Sequence, residues 1–189
     1  MSGTVRFTPP DAAGIARLVL SNPGKLNALS VAMWRELRVH LARLNAHAEG
    51  VRVLIVAGEG GQFASGGDIE EFPQFRFDAA SLARFHEEDV RPALQAMLDC
   101  DLPLVAQIDG ACIGGGIDLI CCADMRYAAA DARFGIKEID LGMVADVGTL
   151  QRLPKLVGAQ GLVRELAFTG RDFDAAEARA IGLVSRVFD

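Results

Sequence analysis

The chain is poor in the residues that hold metals and in the patterns that cross membranes. It has four cysteines and three histidines among 189 residues. Cys100, Cys112, Cys121 and Cys122 form no CxxC pair, and no histidine stands at metal-ligand spacing from them. Cys121 and Cys122 lie in the apolar run 119–123, which reads as small buried hydrophobes in a reducing compartment. His40, His47 and His86 fall in helical stretches beside charged or polar residues, so each is expected on the solvated surface. HExxH is absent, which leaves zinc hydrolysis unsupported and no metal site expected. No segment reaches the ~18 unbroken apolar residues of a membrane span. The first fourteen residues lack the apolar core of a signal peptide, and the last four carry no peroxisomal or endoplasmic-reticulum address. A cytoplasmic protein without a membrane partner is the expectation.

Positive charge is also short. Lys and Arg total 19 against 25 Asp and Glu, a net charge of −6, so the basic face needed for nucleic acid is not expected. Three catalytic patterns are missing as well. Ser65 sits in Phe63-Ala64-Ser65-Gly66-Gly67, which lacks the first glycine of GxSxG and so argues against a serine hydrolase. Gly58-Glu59-Gly60 follows a strand, but the third glycine position is Phe63 and a loop comes next, which argues against a dinucleotide turn. No GxxxxGK[ST] is present.

What is present suits one α/β domain over residues 1–189. The apolar fraction of 51% is enough for a full core, so disorder is excluded as the dominant state. Residues 5–8 and 15–20 read as strands around a turn at Pro9-Pro10-Asp11. Ser30 caps a helix to about residue 48, with Trp34, Leu37, Leu41 and Leu44 on one face. Residues 51–57 and 103–108 are apolar enough to be strands buried on both faces. A helix over 79–98, capped by Asp78, should be kinked or divided by Pro92. Three short helices are expected over 149–157, 158–168 and 174–181, and a strand over 183–188 closes the chain. A weak strand-strand-helix recurrence runs through this order.

Glycine-rich loops at 58–67 and 110–116 each follow an apolar strand and precede a helix start. Such turns aim backbone N–H groups into space where negative charge is favoured. Glycine lets a ligand approach the main chain. Two turns facing each other would give one oxygen two donors, and one donor is worth roughly 2.7–4 kcal/mol at a transition state. Either loop alone is no more than a tight turn.

Five motifs in register change that reading. Phe63-Ala64-Ser65-Gly66-Gly67-Asp68-Ile69 and Asp109-Gly110-Ala111-Cys112-Ile113-Gly114-Gly115-Gly116 resemble the two loops of the crotonase, or enoyl-CoA hydratase/isomerase, family. Asn22-Pro23-Gly24-Lys25-Leu26-Asn27-Ala28-Leu29 is similar to that family's N-terminal signature. Gly148-Thr149-Leu150-Gln151-Arg152-Leu153-Pro154 and Gly182-Leu183-Val184-Ser185 resemble its later landmarks. The resemblance implies a spiral of β-β-α units that binds a coenzyme A thioester, with coenzyme A part of the substrate and no separate cofactor. It implies an oxyanion hole from the N–H groups of Gly67 and Gly115. It implies that Lys25 and the backbone of Ala64, Ser65 and Gly66 lie near the CoA moiety. Phe72, Phe75 and Phe77 are candidates for the acyl pocket, or for apolar anchors of a surface loop.

The acids suggest which member. Hydratases of the family carry two glutamates where this chain has Asp118 and Glu138. A third acid, Asp146, stands where hydratases are glycine-rich, and residues 135–148 resemble the Δ3,5-Δ2,4-dienoyl-CoA isomerases. That resemblance implies that all three acids line the pocket. A 3,5-to-2,4 shift removes a proton at C2 and adds one at C6, too far apart for one short side chain, so Glu138 is expected as base at C2, Asp146 as proton donor at C6 and Asp118 as the group that tunes or orients Glu138. Burial should raise the pKa values enough for one acid to stay protonated. A hydratase using Asp118 and Glu138, and a non-catalytic interaction protein, remain as alternatives. The family continues into further C-terminal helices that help form trimers, so this segment is expected to be missing here. A homo-oligomer, trimer or hexamer, is expected if the short C-terminus permits.

Overall fold

The computed structural model describes residues 3–145 and 147–189. Strand β1 (Thr4–Thr8) turns back antiparallel into β2 (Ile15–Ser21). Asp11 holds the turn: its Oδ1 accepts from the N–H groups of Ala13 and Ile15 at 2.8 and 3.0 Å. Helix α1 (Val31–Ala46) follows, and the Ser30 side chain accepts from Met33 N at 3.3 Å as its N-cap. Trp34, Leu37, Leu41 and Leu44 are all buried, as their spacing requires. Truncating a fully buried leucine such as Leu41 to alanine should cost about 2–5 kcal/mol.

Strands β3 (Val53–Gly58), β4 (Leu104–Ile108), β5 (Ala111–Ile113), β6 (Met125–Ala129), β7 (Arg133–Gly135), β8 (Phe173–Asp174) and β9 (Arg186–Phe188) complete the two sheets. The larger has the order β1-β2-β3-β4-β6-β9 and is parallel after its first pair. The smaller has the order β5-β7-β8. Ala64 bridges to Cys112 and extends this second layer. The chain therefore visits the large sheet, then the small layer, then a helix, and repeats. That is the expected spiral of β-β-α units.

The helix expected over 79–98 is continuous rather than broken. Helix α2 (Ala79–Arg84), capped by Asp78, widens into a π-helical stretch (Phe85–Val90) and resumes as α3 (Arg91–Leu98). Pro92 has no N–H for the carbonyl of Glu88, four residues earlier. Arg38 Nη1 donates to that carbonyl instead, at 3.2 Å, and the wide turn absorbs the ring. The loop at 110–116 differs too: it contains β5, which exists through its pairing with β7 and has no local signal of its own.

Helix α4 (Gly115–Ile120) starts at the second glycine turn. Helices α5 (Thr149–Val157), α6 (Gln160–Thr169) and α7 (Ala175–Ala180) close the chain, with Asp174 accepting from Glu177 N as the cap of α7. The last strand is shorter than expected, because Leu183 and Val184 are buried in the turn that precedes it. Buried Arg126 ties that turn to β6, donating to the carbonyls of Leu183 and Ala123 at 2.6 Å each. One continuous apolar cluster runs through both layers and the helices.

Candidate functional site

The N-terminal signature proves to be a brace for the first glycine loop. Asn27 Nδ2 donates to the carbonyls of Glu59 and Gln62 at 2.9 and 2.7 Å, and its Oδ1 accepts from Asn22 N at 3.1 Å. Asn27 has φ +56°, a left-handed conformation that asparagine tolerates better than most side chains. Lys25 Nζ reaches Asp68 Oδ2 at 2.8 Å and Glu70 Oε2 at 2.7 Å. These two carboxylates hold the lysine's pKa above its usual range. Asp68 is buried, so the ion pair fixes the loop on which Gly66 and Gly67 sit.

Ala64 lies beneath that loop. Its N–H donates to Ala111 O and its carbonyl accepts from Ile113 N, at 2.8 and 2.9 Å, so both its backbone groups are used in the second layer. Ser65 donates its hydroxyl to Lys25 O and its N–H to Leu26 O. Gly66, at φ +100°, lets the chain turn upward, and its carbonyl accepts from Leu29 N. A Cβ on Gly67 would meet the Phe72 ring at 3.1 Å. A Cβ on Gly114 would lie 3.7 Å from Gly66 Cα, so the two glycine turns abut. Gly67 and Gly115 line one cavity, and neither N–H donates to an acceptor among the described residues. For Gly115 the reason is general: the first N–H groups of a helix have no partner within it.

Two of the three acids meet in the same cavity. Asp118 is on α4, fully buried, and its Oδ1 accepts from Thr149 Oγ1 at 2.8 Å. Burial raises its pKa from 3.8 to about 7; the Thr149 hydroxyl works against this, and the charge of Glu138 adds to it. Glu138 begins a 3₁₀ turn (Glu138–Leu141), and its Oε1 lies 3.1 Å from where a Gly114 Cβ would be. Asp146 lies outside the described residues.

Aromatic and apolar side chains form the rest of the wall. Phe72, Phe75, Phe85 and Trp34 line the cavity, with Phe75 stacked on Phe85 at 3.9 Å between centroids. Arg76 caps this cluster, its guanidinium 4.8 Å from the Phe72 ring centroid. Phe77 does not belong: it is 84% exposed, so for that residue the acyl-pocket reading falls and the surface-loop reading stands. Lys137 reaches the cavity edge but is paired with Asp172 at 3.0 Å.

Elsewhere the chemistry is bland. Cys112, Cys121 and Cys122 are buried and Cys100 half-buried, all as free thiols. Burial pushes the thiol pKa of each upward, away from the reactive thiolate. His47 is exposed, but His40 and His86 are half-buried rather than solvated. His40 Nε2 bonds Val5 O at 2.9 Å and its ring stacks on Phe7, because α1 packs across β1. Among the described residues no group of three or more His, Cys, Asp or Glu is placed to hold a metal, and no helix is long and apolar enough to cross a membrane.

The family model described as enoyl-CoA hydratase/isomerase matches residues 11–189. The chain belongs to the enoyl-CoA hydratase/isomerase family. It is 40% identical over 182 residues to the mitochondrial Δ(3,5)-Δ(2,4)-dienoyl-CoA isomerase of Pongo abelii, covering 92% of this chain and 55% of that protein. It is 35% identical over 173 residues to enoyl-CoA hydratase domain-containing protein 2 of Bos taurus, covering 91% of this chain and 57% of that protein. A solved enoyl-CoA hydratase/isomerase family protein from Hyphomonas neptunium superposes with a TM-score of 0.90 at 36% identity, covering 98% of this chain and 69% of that one. The chain thus spans little more than half the length of these two curated relatives.

The enoyl-CoA hydratase/isomerase motifs locate the glycine turns and two acids, but not the residues that support them. Thr149 stands inside the landmark Gly148–Pro154, yet its partner is 31 residues away and no local pattern links them. Trp34 and Phe85 read only as apolar positions on helices. Their second role, as cavity wall, follows from packing and has no sequence signal.

Proposed function

We propose that this chain catalyses the shift of double bonds from 3,5-dienoyl-CoA to 2,4-dienoyl-CoA, in the oxidation of unsaturated fatty acyl chains. One observation carries the reading. The carboxyl groups of Asp118 and Glu138 line the same apolar-walled cavity as two glycine N–H groups with no acceptor among the described residues. The 40% identity to a dienoyl-CoA isomerase supports the choice of reaction.

The thioester oxygen is held by Gly67 and Gly115. Glu138 takes a proton from C2, and the electron pair moves into an enolate conjugated through C6, whose oxyanion those N–H groups stabilise. Asp146 gives a proton to C6 as the double bonds settle at 2 and 4. Glu138 has then gained the proton that Asp146 lost, and exchange of both acids with solvent resets the site. Asp118, neutral through part of the physiological range, limits the negative charge beside Glu138 and orients it. Ser65 and Gly66 border the thioester, while Lys25 keeps the loop near the CoA moiety through Asp68.

A second reading is hydration of a 2-enoyl-CoA by Asp118 and Glu138. It is favoured by the 35% identity to a hydratase-domain protein and by the sufficiency of two acids for adding water. The test is to offer the purified chain a 3,5-dienoyl-CoA and, separately, a 2-enoyl-CoA. Gain of conjugated-diene absorbance alone supports the isomerase. Loss of the enoyl band alone overturns it in favour of the hydratase, and no change in either supports a non-catalytic member.

A further inference from the structure

We infer that Thr149 is a positioning residue that decides which oxygen of Asp118 carries the proton, an inference that rests on the reading of Asp118 as a working acid. Threonine at a helix start commonly caps its own helix. Thr149 is instead the first residue within α5, and its hydroxyl points across to α4, donating to Asp118 Oδ1 at 2.8 Å. Both residues are buried, at 0% and 1% exposure, so water does not compete. Gly148 makes the approach possible. It has φ +147°, and a side chain there would collide with the Arg152 guanidinium and come 3.4 Å from Asp118 Oδ1.

A hydroxyl has one proton to donate. Aimed at Oδ1, it favours that oxygen as the acceptor and the other oxygen as the seat of the acid's own proton. The proton of the neutral acid therefore sits on Oδ2, which is buried and has no hydrogen-bond partner among the described residues. Oδ2 is then the oxygen through which Asp118 acts on the cavity that it shares with Glu138. Among the described residues, the charged or titratable groups that act on Asp118 or on which it acts are Glu138, Arg152 of α5, and Cys121 and Cys122 just after α4. None of these is a second hydrogen-bond donor to Oδ1. Thr149 therefore has a role that charge alone does not replace.

The test compares the full chain with Thr149→Val, which keeps the side-chain shape, and Thr149→Ser, which keeps the hydroxyl. The Asp118 carboxyl is titrated by 13C NMR without ligand, and the same proteins are assayed for diene formation. Losing one hydrogen bond to the charged form should raise the Asp118 midpoint in the valine variant by on the order of one pH unit. The serine variant should restore it. In the assay kcat should fall about tenfold in the valine variant with KM unchanged, and recover in the serine variant. An unchanged midpoint in Thr149→Val, or one that serine does not restore, overturns the inference even if the isomerase is active. A shifted midpoint in a protein with no diene activity leaves the Thr149–Asp118 link standing and removes the functional reading instead.

Discussion

Glu138 Oε1 stands so close to Gly114 that a methyl carbon on the glycine would meet it at 3.1 Å. Gly114 also has φ +49° and ψ −113°, a conformation that a side chain disfavours. The second glycine turn thus does two things at once. It presents Gly115 N–H to the cavity, and it leaves room for the proposed base.

Gly114→Ala should therefore damage chemistry more than folding. Backbone strain of about 1–3 kcal/mol is expected, a cost that a folded chain can absorb. Displacement of Glu138 should lower kcat/KM for diene formation by at least about a hundredfold, since small misplacements of reacting groups cost that much. Steady-state kinetics and thermal melting on the same preparation check both halves.

Asp118 should make stability depend on pH in a defined direction. Its pKa is raised by burial from 3.8 to about 7. Below 3.8 it is neutral in both the folded and the unfolded chain, and its contribution is fully present. As pH rises to about 7 the unfolded chain sheds a proton that the folded one keeps, and stability is lost. Above that the loss is complete and flat. Asp118→Asn cannot ionise, so its melting temperature relative to the native chain should climb between pH 4 and 7 and then level. A difference that does not vary with pH would contradict the burial argument.

Asn27 braces the first glycine loop from a distance in sequence. Asn27→Ala removes three hydrogen bonds and leaves the carbonyls of Glu59 and Gln62 without that donor. It also places alanine at φ +56°. Destabilisation of at least about 2 kcal/mol is expected in urea unfolding, with a midpoint shift and no change in slope. Because the same loop carries Gly67, KM for the thioester should rise as well.

The aromatic wall separates two residues that look alike in the sequence. Phe72→Ala opens the cavity beside Gly67 and should raise KM for long acyl chains more than for short ones. Phe77→Ala should leave both kinetics and melting unchanged, since Phe77 is 84% exposed. Equal effects of the two variants would mean that the acyl chain runs along the outer surface.

These contrasts show how far the sequence reaches. The glycine turns and capped helices were readable because their causes are local: glycine at a tight turn, a serine before an apolar stripe, an aspartate before α2. From local signals the β-β-α spiral was only a faint rhythm, because β5 and β7 are three-residue strands made by each other; the motif resemblance supplied the rest. Pro92 signalled a break, and the answer came from Arg38, which is distant in sequence and takes over the orphaned Glu88 carbonyl. Lys25 and Asp68 were readable as members of two motifs, but not as the ion pair that joins them. The Asp118–Thr149 bond is of the same kind, since only folding brings α4 and α5 together.

The central claim is that this cavity moves a proton off C2 and another onto C6 of a thioester-linked diene. Turnover of a 3,5-dienoyl-CoA in heavy water, with the product read by NMR, tests it most directly. The account predicts 2,4-dienoyl-CoA carrying solvent deuterium at C6, formed by the native chain and abolished in Glu138→Gln. Diene formed equally well by Glu138→Gln, or a hydrated product in place of the diene, would contradict it.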